Sequence, residues 1–335
     1  MKTGIIGYGY WGINLVRNLA GNTNFSVLCV CDKDPSRLDL VKKHYPWVHT
    51  AGDADLILKD PEIECVVIAT NPANHYELAL KALRYGKHVL IEKPLATHLT
   101  EASHLADLAY NSGLTLMTDH TFLYNGAVGK IKSLIEKNEL GRMLYIDSTR
   151  INLGIFQNDI NVLWDLATHD LSIINYLLEE RPKSVVAVGK CHLKNGIENI
   201  AYMTLFYESD LMVHIHSSWS SPVKLRQMLF GGEKKMLVYN DIEPTEKIKI
   251  YDSGLLFNEE FKDQILVDYR IGDVFIPKYD TKEALSVMIE DFYDSVAGKR
   301  DPVAHAKSAL EIINILECAE KSIQHHGKEI KINAI

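Results

Sequence analysis

The sequence predicts two domains, an α/β domain with a parallel sheet followed by an α+β domain with a large, open and mainly antiparallel sheet. Short apolar runs alternate with helical segments in the first third of the chain, and strand patterns joined by turn signals dominate after about residue 180. The length of 335 residues is enough for two hydrophobic cores. We place the domains at residues 1–122 and 123–335.

The first domain combines continuously apolar strands with helices, which indicates a parallel sheet covered on both faces. The predicted strands are 3–6, 27–31, 65–70, 88–92 and 114–118. The predicted helices are 13–20, 35–44, 54–58, 74–85 and 99–112. Ligands of such sheets bind beyond the carboxyl ends of the strands, so the residues after each strand are candidates for a site.

The second domain begins with a helix and a strand and continues into a series of alternating strands. Helices are predicted at 127–137, 163–179 and 304–325, and strands at 143–152, 184–192, 201–208, 211–219, 225–230, 235–239 and 247–251. An open sheet must cover its second apolar face. We therefore expect a homodimer or homotetramer formed through this sheet.

Composition excludes several classes of protein. The net charge is −8 and lysine and arginine form no cluster, so no nucleic-acid partner is predicted. No apolar run reaches the length of a membrane span, and a strand begins at once, so neither a membrane segment nor a signal peptide is expected. Five scattered cysteines without C-x-x-C spacing indicate reduced thiols in a cytoplasmic protein. No histidine pair has ligand partners at metal spacing, so no metal site is predicted.

A glycine-rich turn follows the first strand and reads G-Y-G-Y-W-G, with Gly7, Gly9 and Gly12 in G-x-G-x-x-G spacing. The first glycine permits a tight turn, the second lets a pyrophosphate approach the backbone, and the third lets helix and strand pack closely. Unpaired N–H groups near Tyr10 and Trp11 then face the phosphates. The strand–turn–helix context therefore predicts a dinucleotide-binding Rossmann domain.

The end of the second strand carries Asp32, twenty residues beyond Gly12. A carboxylate at this place can accept hydrogen bonds from the adenine-ribose hydroxyls and would repel a 2′-phosphate, which favours NAD over NADP. Lys33 and Arg37 lie close enough to bind a phosphate, so NADP stays open as the alternative.

A second signal is Glu92-Lys93-Pro94, at the carboxyl end of a buried strand. Pro94 keeps Lys93 out of the helical region and so directs its side chain from a stiff turn. Beside a nicotinamide ring, the positive charge of the oxidised ring would favour loss of the lysine proton, which suits proton exchange near neutrality. An exposed strand end with a salt bridge is the alternative.

A third signal is the pair Asp165 and His169, four residues apart on one face of a predicted helix. Histidine is a suitable general base for an alcohol, and a carboxylate one turn away can orient its ring. Asp170 falls on another face, where we expect a solvated or interface charge. A helix N-terminal carboxylate with a solvated histidine is the alternative.

Four motifs together resemble the Gfo/Idh/MocA family, named for glucose–fructose oxidoreductase and inositol dehydrogenase. They are G-Y-G-Y-W-G at 7–12, A-T-N-P-A-N-H at 69–75, G-K-H-V-L-I-E-K-P-L at 86–95 and D-L-A-T-H-D at 165–170. The resemblance implies NAD(P) in the first domain and a sugar-like alcohol against the open sheet. The family's lysine falls on Lys93 and its D-x-x-x-H pair on Asp165 and His169. The residues implied beside the cofactor, in addition to the glycine turn and Asp32, are Thr70, Asn71, His75, Glu92 and Lys93.

A narrower resemblance points to the branch that acts on nucleotide-linked sugars, such as UDP-N-acetylglucosaminuronic acid 3-dehydrogenases. It is carried by four segments: H-T-F-L-Y-N at 120–125, R-I-N-L-G at 150–154, L-W-D-L-A-T-H-D-L-S-I at 163–173 and S-W-S-S-P-V-K-L-R at 218–226. Thr168 stands where that branch usually has proline before the histidine. The branch implies oxidation of the C3 hydroxyl of a UDP-sugar. The expected substrate contacts are Lys93, Tyr124, Arg150, Asn152, His169, Lys224 and Arg226.

Two of these contacts also have a direct rationale. Lys224 and Arg226 alternate on one strand face and could meet a diphosphate or a uronate. An exposed strand edge carrying charge is the alternative. Three other functions remain: a reductase of 3-keto sugar nucleotides or another sugar or polyol dehydrogenase, an NAD-dependent glycosidase, and a non-catalytic NAD-sensing regulator.

Overall fold

The structure is a computed structural model, and it describes residues 1–154, 156–157, 159–193, 196–257, 267–270 and 272–335. It divides into two compact units. The first unit is Met1–Tyr124 with Lys282–Ile313, and the second is Asn125–Thr281 with Asn314–Ile335. The division near residue 124 is close to the predicted boundary at 122. The prediction differs in that it assigns residues 282–313 to the second domain.

The secondary structure follows the predicted order. In chain order the strands of the described residues are β1 (Lys2–Ile6), β2 (Ser26–Cys31), β3 (His49–Ala51), β4 (Cys65–Ile68), β5 (His88–Glu92), β6 (Leu116–Asp119), β7 (Met143–Leu153), β8 (Ser184–Lys190), β9 (Ile200–Phe206), β10 (Met212–Ser218), β11 (Ser220–Gly232), β12 (Met236–Asn240), β13 (Ile248–Tyr251), β14 (Gly254–Phe257), β15 (Val267–Arg270), β16 (Val274–Phe275) and β17 (Ile330–Lys331). The α-helices are α1 (Gly12–Gly21), α2 (Pro35–His44), α3 (Asp55–Leu58), α4 (His75–Arg84), α5 (Leu99–Ser112), α6 (Gly126–Glu136), α7 (Thr168–Leu177), α8 (Ala284–Gly298) and α9 (Ala306–Gln324).

The first unit contains a six-stranded sheet in the order β3-β2-β1-β4-β5-β6, and each adjacent pair is parallel. The central strands are apolar and fully buried, as Ile5, Val67 and Leu90 show. Because all carboxyl ends lie at one edge, the segments after β1, β4, β5 and β6 gather there. The predicted parallel Rossmann sheet is confirmed.

Local sequence explains several element boundaries in this unit. Asp34 accepts a hydrogen bond from the backbone N–H of Ser36 and Pro35 takes the first helical position, so α2 begins where capping rules place it. Gly113 adopts a left-handed conformation and ends α5.

Helix α8 was not predicted from the sequence. It lies in Lys282–Ile313, the second of the two chain segments that form the first unit. Its buried residues Leu285, Met288, Ile289 and Phe292 lie on one helical face. The Phe292 ring stacks on Phe25, with 6.5 Å between centroids. Because α8 buries its apolar face in the first unit, residues 282–313 belong there.

The second unit contains a nine-stranded sheet in the order β16-β13-β12-β11-β7-β10-β9-β8-β17. Its neighbouring strands pair antiparallel except for β7 and β10, which run parallel. One face is apolar and buried, for example at Met203 and Ile215, and the other carries partly exposed side chains such as Tyr202 and Met212. The predicted open, mainly antiparallel sheet is confirmed. Among the described residues, no helix has the length and hydropathy needed to cross a bilayer.

Candidate active site

In the glycine turn of the first unit, two of the glycines cannot be replaced by residues that have a side chain. Gly7 has φ +103°, and a Cβ there would lie 2.3 Å from the Ala69 carbonyl oxygen. A Cβ at Gly12 would lie 2.2 Å from the Gly7 carbonyl oxygen. A Cβ at Gly9 would have only the Arg37 side chain nearby, at 3.5 Å. Gly7 and Gly12 hold the turn close to the sheet, and Gly9 leaves its surface open, which fits a bound pyrophosphate.

The start of α1 lies directly after this turn. In the first turn of α1, the Ile13 N–H donates to the Gly9 carbonyl at 3.3 Å, and the N–H groups of Asn14 and Leu15 donate to the Trp11 carbonyl at 2.9 and 3.2 Å, so these three N–H groups are already paired. Tyr10 is 85% exposed, so its side chain makes little contact with the protein. The Trp11 indole Nε1 donates to Asp119 Oδ2 at 2.6 Å. Trp11 therefore anchors the glycine turn to the end of β6, a side-chain role beyond the backbone role expected from the sequence.

Asp32 is buried at the end of β2, and its carboxylate holds the glycine turn. Its Oδ2 accepts from the backbone N–H of Tyr8 at 2.7 Å, and its Oδ1 accepts from the N–H of Asp34 at 2.9 Å. Arg37 Nη1 lies 3.3 Å from Oδ2, and the arginine Nε lies 3.6 Å from the Asp34 carboxylate. A guanidinium is thus held beside the residue expected to select against a 2′-phosphate.

The loop after β4 contains Thr70 and Asn71, which are partly or fully exposed and can reach a ligand. His75 is expected beside the cofactor, but it is fully buried. Its Nδ1 lies 2.7 Å from the Pro94 carbonyl oxygen and its Nε2 lies 3.0 Å from the Thr70 carbonyl oxygen. The structure therefore corrects its role: His75 ties the loop after β4 to the turn that carries Lys93.

The turn after β5 carries Lys93, which is half-buried and joined to Pro94 by a cis peptide bond. Leu95 and Ala96 are fully buried and fix the chain that follows. Glu92, the last residue of β5, is half-buried and pairs in register with Asp119 on β6. Lys93 therefore lies at the carboxyl ends of the parallel strands, the same edge of the sheet at which the glycine turn lies.

Asp119 is a buried carboxylate that does not belong to the site residues predicted from the sequence. It accepts hydrogen bonds from Trp11, from the Thr121 N–H at 3.1 Å and from the Thr121 hydroxyl. Burial raises the pKa of Asp119, while these hydrogen bonds and the charge of Lys93 oppose the rise. Asp119 thus connects the glycine turn electrostatically with the lysine. Only its position after a strand could have signalled this.

The second unit holds the predicted acid–base pair on a helix that begins irregularly. Leu163–Ala167 form a π-helical turn, which contains Asp165, and α7 follows at Thr168. His169 lies in the first turn of α7, and both Asp165 and His169 are half-buried. The Thr168 hydroxyl donates to the Trp164 carbonyl at 2.6 Å and stabilises the junction. Such π-turns occur frequently at functional sites.

Trp219 holds the Asp165 carboxylate from the end of the sheet. Its indole Nε1 donates to Asp165 Oδ2 at 2.9 Å. The Trp219 ring is buried and packs edge-on against Phe156, with 5.7 Å between centroids. Its backbone N–H donates to the Asn199 carbonyl at 2.9 Å. The sequence shows Trp219 only within the motif at 218–226, with no signal of this contact.

Arg150 and Asp170 form a buried ion pair, which corrects two expectations. Arg150 Nε and Nη2 donate to Asp170 Oδ1 at 2.9 and 2.8 Å, and the side chains are 5% and 2% exposed. Burial alone would lower the pKa of Arg150, but the Asp170 charge and hydrogen bonds raise it. Arg150 is therefore not an open substrate contact, and Asp170 is not solvated. The pair ties β7 to α7, next to His169.

The other four residues expected to contact the substrate differ in how buried they are and in whether the protein already supplies them with a partner. The Tyr124 hydroxyl donates to Asp291 at 2.7 Å and accepts from the Ala304 N–H at 3.1 Å, so this buried tyrosine has a structural role in the first unit. Arg226 is half-buried and lies 3.4 Å from the Asp241 carboxylate. Asn152 is half-buried and Lys224 is exposed, so both can still contact a ligand. Within the described residues, no three histidine, cysteine or acidic side chains are arranged to hold a metal ion.

Comparison with known proteins shows the family. The model of the oxidoreductase family with an NAD-binding Rossmann fold matches residues 1–120, and that of the GFO/IDH/MocA C-terminal domain matches residues 128–238. The fold and the glycine turn define an NAD-binding oxidoreductase. The chain belongs to the Gfo/Idh/MocA family, as the sequence motifs imply.

Similar proteins include enzymes and uncharacterised oxidoreductases. A 1-carboxy-3-chloro-3,4-dihydroxycyclo hexa-1,5-diene dehydrogenase of Comamonas testosteroni is 27% identical over 54% of this chain and 48% of its own length. The uncharacterised oxidoreductase YhhX of Escherichia coli is 35% identical over 60% of each chain. These matches span about half the length of the curated relatives. UDP-N-acetylglucosamine 3-dehydrogenase GnnA of Acidithiobacillus ferrooxidans has the same fold, with a TM-score of 0.80, 22% identity and coverage of 97% of this chain and 98% of that chain.

Replacing Asp32 with serine is expected to shift cofactor preference from NAD toward NADP by tenfold or more, or about 1.4 kcal/mol. The change removes the repelling carboxylate and releases Arg37 to meet a 2′-phosphate. Dissociation constants for NAD+ and NADP+, measured by calorimetry, test it. The control is Asp39→Asn, which changes an exposed acidic residue on α2, the helix that also carries Arg37. An unchanged preference in Asp32→Ser would show that Asp32 does not select the cofactor.

Proposed function

We propose that the chain transfers a hydride between the C3 position of a nucleotide-linked sugar, a UDP-N-acetylhexosamine or its uronate, and nicotinamide. The observation that carries the proposal is the position of Lys93, at the same strand edge as a glycine turn fitted to a dinucleotide. Asp165 and His169, on an irregular helix start braced by Trp219, supply the acid–base pair that the reaction needs. The nucleotide-sugar assignment is supported by the motifs at 120–125, 150–154 and 218–226 and by the fold shared with GnnA.

In the proposed mechanism, Lys93 and His169 act on one hydroxyl of the sugar. His169 or Lys93 takes the hydroxyl proton, and the other stabilises the oxygen as the carbonyl forms. Asp165 orients His169, and Trp219 fixes the Asp165 carboxylate. Bound NAD+ supplies the hydride acceptor, so each turnover yields a ketone, NADH and a proton. The glycine turn, Asp32, Thr70, Asn71 and Glu92 are proposed to hold the cofactor.

The residues that bind the sugar beyond its reacting hydroxyl are proposed to be Asn152 and Lys224. Lys224 is exposed on β11, where its ammonium can meet a diphosphate or a uronate. The same residues serve a 3-keto sugar-nucleotide reductase, because hydride transfer is reversible. Direction is therefore decided by assay and not by the identity of the side chains.

The function is tested by incubating the protein with NAD+ and a panel of UDP- and dTDP-sugars, free sugars, polyols and glycosides, after checking the purified protein for bound nicotinamide. NADH absorbance and hydrolysis of the glycosides are followed. We expect NADH with a UDP-N-acetylhexosamine or its uronate. NADH formed only with free sugars or polyols would overturn the nucleotide-sugar assignment. Turnover of a glycoside without net cofactor reduction would establish the glycosidase alternative.

Trp219→Phe is expected to lower kcat by about 5- to 100-fold while NAD+ affinity stays within twofold. The variant keeps an aromatic ring against Phe156 but removes the N–H that holds the half-buried Asp165 carboxylate, a loss of about 1–3 kcal/mol. Steady-state kinetics on the sugar found by the panel measure it. Trp47→Phe, at an exposed position, is the control. A kcat within twofold of wild type would exclude the positioning role of Trp219.

We also propose that the partly exposed sheet face of the second unit forms a homodimer or homotetramer. Tyr202, on β9, stacks on His216 of β10 with 4.4 Å between centroids, and Met212 is 46% exposed on the same face. These side chains form an apolar and aromatic surface suited to a second copy. The five scattered cysteines, which show no C-x-x-C spacing, support a reducing, cytoplasmic location.

Met212→Asp is expected to reduce the oligomer to monomers, because a carboxylate buried at such an interface would lack a partner. Light scattering coupled to size-exclusion chromatography measures the mass. Ile242→Asp, an apolar residue exposed in the turn after β12, is expected to leave the mass unchanged. A wild-type monomer, or an unchanged oligomer in Met212→Asp, would contradict the proposed interface.

A further inference from the structure

The indole ring of Trp11 is held in one orientation by a buried carboxylate. Its Nε1 donates to Asp119 Oδ2 at 2.6 Å, and Asp119 is 3% exposed. The other carboxylate oxygen, Oδ1, accepts from the Thr121 N–H at 3.1 Å and from the Thr121 hydroxyl. Three donors on one carboxyl group favour its ionised form, which accepts hydrogen bonds and donates none. The indole N–H therefore makes a charge-assisted hydrogen bond, which is stronger than a neutral one.

The order of the strands places this ring beside the carboxyl end of β5. In the sheet, β1 and β6 are separated by β4 and β5, so their ends lie about 14 Å apart at ~4.8 Å per strand. The glycine turn covers the end of β4, since a Cβ at Gly12 would lie 3.6 Å from the Cβ of Ala69, the first residue after that strand. From this turn Trp11 reaches Asp119, the last residue of β6. The strand end that the indole spans is therefore that of β5.

The end of β5 is also where Lys93 is located. Lys93 directly follows Glu92, which ends the strand and pairs in register with Asp119. The charge of Lys93 acts on Asp119, where it lowers the carboxyl pKa against the effect of burial. Trp11 is half-buried, so part of its ring surface is open to a ligand. The indole, the carboxylate and the lysine thus share one part of the carboxyl edge.

A dinucleotide on such a sheet extends across the first strand–helix turn, with its adenosine end beside the second strand. In this chain the adenosine end is proposed to lie at Asp32, on the β2 side of β1. The nicotinamide end then lies on the opposite side of the glycine turn, over β4 and β5. The Trp11 ring lies on the same side.

From this arrangement we propose that the nicotinamide ring of the cofactor lies against the indole of Trp11, and that this contact favours the oxidised, positively charged ring over the reduced ring. This placement of the nicotinamide rests on the proposed path of the cofactor along the edge and on no assignment of the sugar. Indole attracts a cation over its face more strongly than the other aromatic side chains do. The Asp119 carboxylate that accepts the indole N–H adds negative charge nearby. Reduction removes the charge of the nicotinamide ring and with it this attraction, so NADH leaves more readily than NAD+.

A purely structural role of Trp11 predicts a different pattern of binding. If the indole only anchors the glycine turn, its loss weakens every ligand that lies on the turn, whatever the state of the nicotinamide. If the ring contacts the nicotinamide, its loss weakens NAD+ most, NADH less, and ADP-ribose, which lacks nicotinamide, hardly at all. These three ligands therefore separate the two roles.

The affinities for the three ligands are measured by calorimetry, without sugar, on protein freed of bound nicotinamide. In Trp11→Leu we expect the affinity for NAD+ to fall by about 5- to 30-fold, the strength of a cation–π contact shielded from water. The affinity for NADH should fall by less than about threefold, and that for ADP-ribose should stay within about twofold of wild type, because neither ligand presents a cationic ring.

A second readout is optical. An indole that lies against an oxidised nicotinamide ring gives a broad charge-transfer absorbance at longer wavelength than either ring alone. We expect this band in wild type with NAD+, and not with NADH or ADP-ribose. Trp11→Phe should weaken the band and shift it to shorter wavelength, because a phenyl ring is a poorer electron donor. The control is Trp47→Leu, which removes an exposed indole of the same unit and should keep the band and all three affinities.

Equal losses of affinity for NAD+, NADH and ADP-ribose in Trp11→Leu would show an anchoring role alone and overturn the proposal. A wild-type complex with NAD+ that lacks the charge-transfer band would also overturn it. If Trp11→Leu fails to fold, Trp11→Phe decides, and an unchanged band in that variant contradicts the contact. The sugar panel decides the proposed function separately, since a chain that binds NAD+ in this way can oxidise another alcohol or none.

Discussion

His169→Asn and Lys93→Met are each expected to lower kcat by about 10²- to 10⁴-fold, the usual contribution of a general acid–base group. Both groups are proposed to act on the same hydroxyl, so the double variant should lose little more than the worse single variant. NAD+ affinity should stay nearly unchanged in His169→Asn, because the cofactor is proposed to lie on the first-unit residues.

This prediction is measured by single-turnover kinetics on the sugar identified by the panel, with NAD+ titration in parallel. His192→Asn, outside the proposed machinery, is a comparison for effects of histidine loss in the second unit. Wild-type turnover in either single variant would exclude that side chain from the chemistry. Retained turnover in both would remove the proposed mechanism.

Arg150→Met is expected to cost about 3–5 kcal/mol of stability, because it leaves the Asp170 carboxylate buried without its partner. The double variant Arg150→Met, Asp170→Leu should recover most of this loss, since a well-packed apolar pair of similar volume is often as stable as a buried ion pair. The penalty comes from the isolated charge and not from the loss of the attraction alone.

Chemical denaturation of the purified protein is followed, and the transition of the second unit gives its free energy of unfolding. The control breaks an exposed ion pair of the second unit: Lys183→Met removes the contact with Glu208. The two side chains are 45% and 81% exposed, so the loss should be about 0–1 kcal/mol. A loss below about 1 kcal/mol in Arg150→Met would show that the buried pair is not stabilising α7 as inferred.

The fold was predictable where local signals agree with the final packing. The helices at 35–44 and 99–112 and the strand at 88–92 have the predicted bounds, because capping residues or apolar runs define them. The strand His49–Ala51 is short and partly polar, so it carries no periodic signal. Helix α8 has helical spacing of apolar residues but was not assigned, and its place in the first unit depends on contacts that the chain order hides.

The position of a site residue was predictable from the sequence where the order of strands and helices alone determines it. Strand ends put Gly7, Asp32 and Lys93 at one edge of the parallel sheet, and this follows from the pattern of strands and helices. The corrected residues depend on partners distant in sequence. Arg150 meets Asp170 and Tyr124 meets Asp291, so two polar residues expected to contact substrate are occupied within the protein.

His75 and Trp219 are two further residues whose contacts could not be predicted from the sequence. His75 is assigned to the cofactor but joins two backbone carbonyls, whereas Trp219 is left without a role but binds the Asp165 carboxylate. Spacing along the chain gives no information on either contact. Long-range hydrogen bonds to backbone and side chains become visible only in the folded structure.

In the proposed reaction, a sugar carbon delivers its hydride to the nicotinamide ring of bound NAD+. The most direct measurement uses a UDP-N-acetylhexosamine or uronate deuterated at C3, incubated with the protein and NAD+, with the reduced cofactor analysed by mass spectrometry. We expect one deuterium in the reduced cofactor and a 3-keto product. Reduced cofactor without deuterium, or a sugar that returns unchanged with NAD+ intact, would contradict it.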